Sequence, residues 1–149
     1  MRAMINYAFE ISETARVMKR EANRRAALIG ATKAQWRVLA RLHRAGGGLR
    51  QVELADLLDI EPITLCRILD RLGDAGLVER QRDPDDRRAW RLHLTDAAAP
   101  IIAKLEKMGQ TFNAEMLDGI SEADRAIVLR ALERMRGNLD RMGELEQAS

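Results

Sequence analysis

Cysteine is nearly absent from this chain. Cys66 stands alone among 149 residues, so no internal disulfide can form. Histidine is almost as scarce, and His43 and His93 with one thiol are too small a set for a zinc site. Aromatic residues make up 3% of the sequence, so apolar surfaces must be built from Leu, Ile, Met and Ala. No apolar run approaches the roughly 18 residues of a membrane span. The start, Met1-Arg2-Ala3-Met4-Ile5-Asn6, lacks the apolar centre of a secretory signal, and a cytoplasmic location is expected. A phosphate loop, a metal-ligand cluster and a nucleophile with a base at motif spacing are also missing. The expectation is a protein that is not an enzyme and carries no cofactor.

What is present is 46% hydrophobic and 32% charged, the composition of a soluble globular domain. Lys plus Arg number 25 and Asp plus Glu 23, and only four of the cations are lysine. Arginine suits flat two-pronged contacts to phosphate, carboxylate or a guanine edge, although a GC-rich genome yields the same excess. The charge is unevenly spread. Residues 1–48 carry 10 cations against 3 anions, a net of +7, whereas residues 49–95 carry 8 against 10, a net of −2.

Periodicity predicts the elements. Met4, Ala8, Ile11, Ala15, Met18 and Ala22 alternate spacings of four and three, an amphipathic helix over 4–28 closed by Gly30. Thr32 caps a second helix with Trp36, Leu39, Ala40 and Leu42, which stops at a flexible Gly46-Gly47-Gly48 turn. Gln51–Leu58 is a short helix, and Pro62 opens another that runs to about Ala75, with Gly76 as its terminator. Leu77–Arg82 and Ala89–Leu94 read as strands flanking the charged turn Asp83-Pro84-Asp85-Asp86-Arg87-Arg88. Thr95 caps a long helix with Ile101, Leu105, Met108 and Phe112 on one face and Pro100 near its start. Gly119 breaks it, and Ser121-Glu122-Ala123-Asp124 opens a last helix striped by Val128, Leu132, Met135, Leu139 and Met142. The terminal stripes are too long for the small middle unit to cover, so pairing of two chains is expected.

The middle unit is the most specific part. Ala55, a tight turn at Asp59 and Leu65 ten residues after Ala55 fit two helices crossing steeply. On the second of them Leu65, Ile68, Leu69 and Leu72 point inward, while Thr64, Arg67 and Arg71 share the opposite face. A hydroxyl and two guanidiniums near a helix N-terminus suit a DNA major groove, and equally suit an ordinary solvated face. The run Ile60-Glu61-Pro62-Ile63-Thr64-Leu65-Cys66-Arg67-Ile68-Leu69-Asp70-Arg71-Leu72, then Gly76-Leu77-Val78-Glu79-Arg80, the Asp83–Arg88 turn and Leu92-His93-Leu94-Thr95 resembles the MarR family of bacterial transcription regulators. Pro100 places the resemblance nearer the SlyA-like branch.

That resemblance implies a mainly α fold (α+β winged helix), a winged helix-turn-helix with long terminal helices forming a dimerisation base. It implies one domain over 4–145, a DNA-reading lobe over 32–95, and dimerisation helices over 4–30 and 96–146. It implies a homodimeric, ligand-responsive repressor or anti-repressor on double-stranded DNA with a pseudo-palindromic operator. Thr64 and Arg67 would face the major groove with Arg71 beside them, and Arg87 would enter the minor groove, oriented by Asp85 and flanked by Arg88. Arg50 would also face the duplex, while Asp56, Asp59 and Glu61 must turn away from it. A small aromatic carboxylate or phenolic effector would lie near Trp36 with a cation from Arg16 or Arg20, although Trp36 reads first as plain core. Cys66 reads as a packing residue, His43 as a partner of its helix dipole, and His93 as an outer-face strand residue. The acidic balance of 49–95 keeps a second class open: a winged-helix protein-interaction module without DNA binding.

Overall fold

The computed structural model describes residues 3–29 and 32–148. Helix α1 spans Tyr7–Leu28. Met4 lies outside it, 96% exposed, because Asn6 takes an extended backbone and its Oδ1 accepts the Phe9 N–H at 3.0 Å. The predicted stop at Gly30 lies outside the described residues. Helix α2 spans Lys33–Ala45, capped by Thr32, whose Oγ1 accepts the Gln35 N–H at 3.2 Å.

The glycine triplet follows a defined path. Gly46, Gly47 and Gly48 hold φ of 77°, 86° and 78°, a left-handed path that residues with a Cβ avoid. Gly47 N–H closes α2 on Leu42 O (3.1 Å), and Gly48 N–H bonds Leu92 O (2.9 Å). The chain is thereby laid into a strand that periodicity could not show, β1 (Leu49–Arg50). Helix α3 (Gln51–Leu58) follows and ends on Asp59 at φ 52°. Helix α4 (Pro62–Asp74) starts on Pro62 as expected, and Gly76, at φ 75°, turns the chain into the sheet.

Strands β2 (Val78–Arg82) and β3 (Trp90–Leu94) form the antiparallel hairpin, and β1 adds to the far side of β3, giving the order β1-β3-β2. Leu92 sits opposite both Leu49 and Arg80. Thr95 does not cap the next helix by its side chain; its hydroxyl donates to Gly76 O (2.5 Å) and its N–H to Leu77 O (3.0 Å). A short 3-10 turn (Asp96–Ala98) therefore precedes α5 (Ala99–Met116), with Pro100 in its first turn. Helix α6 (Glu122–Ala148) begins where Ser121 Oγ accepts the Asp124 N–H (3.2 Å).

The chain divides into two compact units, one up to Gln110 and one from Thr111 onward. The first holds the core. Val38, Leu39 and Leu42 of α2 meet Leu54 and Leu58 of α3, Leu65, Leu69 and Leu72 of α4, and Leu92 of the sheet. Each such leucine contributes roughly 1.5–3 kcal/mol on burial. Ala98, Ile102 and Leu105 are buried in the same cluster, so the first half of α5 packs with the lobe, beyond the predicted boundary at 95. In the second unit no residue of α6 is buried, and Val128, Leu139 and Met142 of its stripe are exposed.

Candidate nucleic-acid interface

Helix α4 shows one face to the core and the other to solvent, a consequence of its Leu65-Leu69-Leu72 spacing. Thr64, Arg67 and Arg71 are all exposed, and their side chains have no hydrogen-bond or ion-pair partner among the described residues. The helix begins without a side-chain cap at Glu61, and its first intrahelical bond runs from the Leu65 N–H to Glu61 O (3.1 Å). The N–H groups of Ile63 and Thr64 are left free, the usual anion-binding end of a helix. Ile63 is 63% exposed, one turn before Arg67 on the outward side. Sequence patterning passes over it because an apolar residue in an amphipathic helix is counted toward the core.

The wing is fastened by a residue that sequence patterning treats as turn chemistry only. Asp83 is 2% exposed, and its Oδ2 accepts a hydrogen bond from Arg50 Nε (3.0 Å) and forms ion pairs with Arg50 Nη2 (2.9 Å) and Arg91 Nε (3.1 Å). Its Oδ1 accepts the Asp85 N–H at 2.9 Å. That N–H is the first cause of an Asp83 carboxyl held below its usual range; desolvation opposes it, and Arg91 and Arg50 add to it. Arg91 also donates to Gly48 O (2.7 Å), so one carboxylate gathers β1, the start of α3 and β3. The signal for this was the Asp-x-Asp spacing, in which the first side chain accepts an N–H two residues on.

Arg50 is thus a structural partner of Asp83 as well as a cation beside the lobe surface. Arg80 is likewise engaged, with Asp70 of α4 (3.0 Å). The Arg87 and Arg88 side chains at the wing tip are exposed and unpaired among the described residues. Asp85 does not hold Arg87 in this structure: it contributes its backbone N–H to Asp83, and its carboxylate makes no ion pair with a described residue. Arg82 lies over the Trp90 ring at 5.2 Å, stiffening the wing at the base of the tip. An open cleft of about 710 Å³ runs between the start of α3 and the wing, with Arg50, Arg88 and Arg91 along it. Asp56, Asp59 and Glu61 are exposed around another cleft, beside Pro62.

Trp36 is half-buried against the core with its Nε1 enclosed and unpartnered. It borders a cleft of about 540 Å³ between α1, α2 and the α3–α4 turn. Arg16 and Arg20 do not line that cleft; Arg16 is held by Glu13 one turn away (Nε to Oε2, 3.2 Å), and Lys19 is the α1 cation that does. His43 meets Glu106 of α5, a partner more specific than its helix dipole. Among the described residues no group of three metal-ligating side chains comes together. Nor is any helix there long and apolar enough to cross a membrane.

Two steeply joined helices, the second presenting a polar ridge, followed by a hairpin wing, define a winged helix-turn-helix protein. The model of the MarR family matches residues 31–90. Among solved structures, the transcriptional regulator PA3341 is 34% identical over 91% of this chain and 99% of its own, with a TM-score of 0.83. A MarR transcriptional regulator from Methanosarcina mazei Go1 is 27% identical, with 91% and 97% of the two chains covered and a TM-score of 0.78. The transcriptional regulator SlyA is 25% identical over 95% and 99%, with a TM-score of 0.77. The chain belongs to the MarR family, and its fold is that of the family's transcription regulators.

Proposed function

We propose that the protein is a sequence-specific DNA-binding regulator that acts as a homodimer, and not a catalyst. The observation that carries this reading is the unpartnered ridge of Thr64, Arg67 and Arg71 beside the free N–H groups of α4. A ridge so placed reads base edges in the major groove while the helix end holds a phosphate. Arg87 enters the adjoining minor groove with Arg88 on the backbone, and Asp85 turns toward Arg87 once DNA is bound. Arg50 lines the phosphate track while bonded to Asp83. Two protomers reach successive grooves roughly 10 base pairs apart, on a pseudo-palindromic A·T-rich operator. The dimer forms through the terminal helices, whose exposed Ile11, Met18, Val128, Leu139 and Met142 have no cover in one chain.

A similar solved structure is that of the Multiple Antibiotic Resistance Repressor, MarR, which supports repression as the output. Pro100 in the first turn of α5 supports the SlyA-like branch. The protein works in the cytoplasm, needs no metal, and takes a small aromatic carboxylate or phenolic effector at Trp36. For that ligand the lining cations are Lys19 and its neighbours rather than Arg16 or Arg20.

Fluorescence anisotropy of labelled duplex at two salt concentrations, with light scattering for mass, tests the proposal. A dimer with salt-sensitive, sequence-dependent binding is the expected result. The net −2 of residues 49–95 favours a protein-interaction module instead, and that reading wins if no duplex binds at either salt concentration.

A further inference from the structure

Ile63 is the one large apolar side chain that α4 leaves exposed; Leu65, Leu69 and Leu72 are buried and Ile68 is half-buried. It occupies the second position of the helix, after Pro62, where the chain has no tertiary use for an apolar group. One turn on is Arg67, and the next residue is Thr64. Any surface that receives these two side chains therefore receives Ile63 as well. A branched side chain beside two free N–H groups is a poor choice for a solvated helix end, where water-facing polar residues cost nothing.

We propose that Ile63 is a specificity-determining residue that reads the C5-methyl of a thymine in the major groove, an inference that rests on the DNA-binding reading above. The chemistry is selective. Among the base edges exposed in the major groove, only thymine offers an apolar group; the others offer donors and acceptors that Ile63 cannot satisfy. Apposition of Ile63 to any other base edge would desolvate polar atoms without replacing their hydrogen bonds. Ile63 thus attracts thymine and penalises the alternatives at one position per half-site, beside the base contacted by Arg67. The local charge points the same way. Asp59 and Glu61 flank this helix end, so the phosphate held there is bound less tightly and base-edge contacts carry a larger share of the binding.

The test uses the full-length dimer and an operator recovered from a randomised duplex library. Each thymidine of that operator is replaced in turn by deoxyuridine, which removes the C5-methyl and nothing else. For the wild type, one position per half-site is expected to lose about fourfold in affinity, the worth of one buried methyl-sized group, and about 15-fold when both half-sites are replaced. Ile63→Ala, at an exposed site, is expected to keep its Tm while the affinity ratio between the thymine and uracil operators shrinks from about fourfold toward one. If the uracil penalty persists undiminished in Ile63→Ala, or if no position is sensitive, the inference fails while DNA binding stands. If no library member is bound, the DNA-binding reading fails, and this inference with it.

Discussion

Asp83 and Arg50, 33 residues apart in sequence, meet at a single buried carboxylate oxygen, through one hydrogen bond from Nε at 3.0 Å and an ion-pair contact from Nη2 at 2.9 Å. Arg50 ends β1 and immediately precedes α3; Asp83 opens the wing turn. The helix-turn-helix and the wing are thus fastened to each other at their roots, and Arg91 completes the joint from β3.

Asp83→Asn removes the charge from that joint and leaves two guanidiniums facing a neutral amide. The variant is expected to melt several degrees lower and to bind duplex more weakly, with unchanged helix content by circular dichroism. Equal affinity for both proteins would show that the joint does not position the wing.

The same group sets a pH dependence. Its folded-state pKa lies below the ordinary 3.8, so its contribution to stability is complete above the ordinary value and disappears as pH falls through the lowered one. The Tm gap between wild type and Asp83→Asn should be constant from pH 7 to about 5 and close below about 4. Calorimetric scans across that range check it, and a gap that widens with acid would contradict the sign.

Arg67→Ala should cost on the order of 1–3 kcal/mol of operator binding and relax preference at one base position per half-site. Arg87→Ala should weaken binding by about the same amount or less, with the fold intact, because its side chain at the exposed tip has no partner among the described residues. Binding indistinguishable from wild type in both variants would refute the site assignment.

Arg88→Ala should act differently, lowering affinity for all sequences alike. Each lost phosphate contact reduces the slope of log K against log salt by about 1, hence about 2 for a symmetric dimer. Titrations at several salt concentrations measure the slope directly.

Leu69→Ala should destabilise the lobe by about 2–5 kcal/mol, since the side chain is buried in the central cluster. Leu139→Glu falls on a residue 63% exposed in the single chain, so it should leave the lobe folded and shift the dimer toward monomer. Light scattering over a dilution series separates the two effects.

Sequence patterning finds every α-helix, all but the short α3 from a stripe with helical spacing, and it finds the hairpin because Asp83–Arg88 is turn chemistry between alternating runs. It misses β1, since two residues are too few to show a period and the strand exists only through pairing with Leu92 and Arg91. It puts Thr95 at a helix start by residue type, whereas the hydroxyl is taken by Gly76 O, a partner 19 residues away. The polar ridge of α4 is legible from spacing alone. The role of Asp83 is not, because a carboxylate in a charged turn looks exposed until its two arginine partners fold over it, one of them 33 residues away.

Strand β1 carries one more implication, for evolution by insertion and deletion. Only Leu49 and Arg50 set its register against β3, and the three residues before them already follow a fully left-handed path. Adding or removing one residue there would swap the two faces, turning Leu49 out of the core and Arg50 away from Asp83. Links between elements are ordinarily where homologous chains differ in length. In this one the count itself is under constraint.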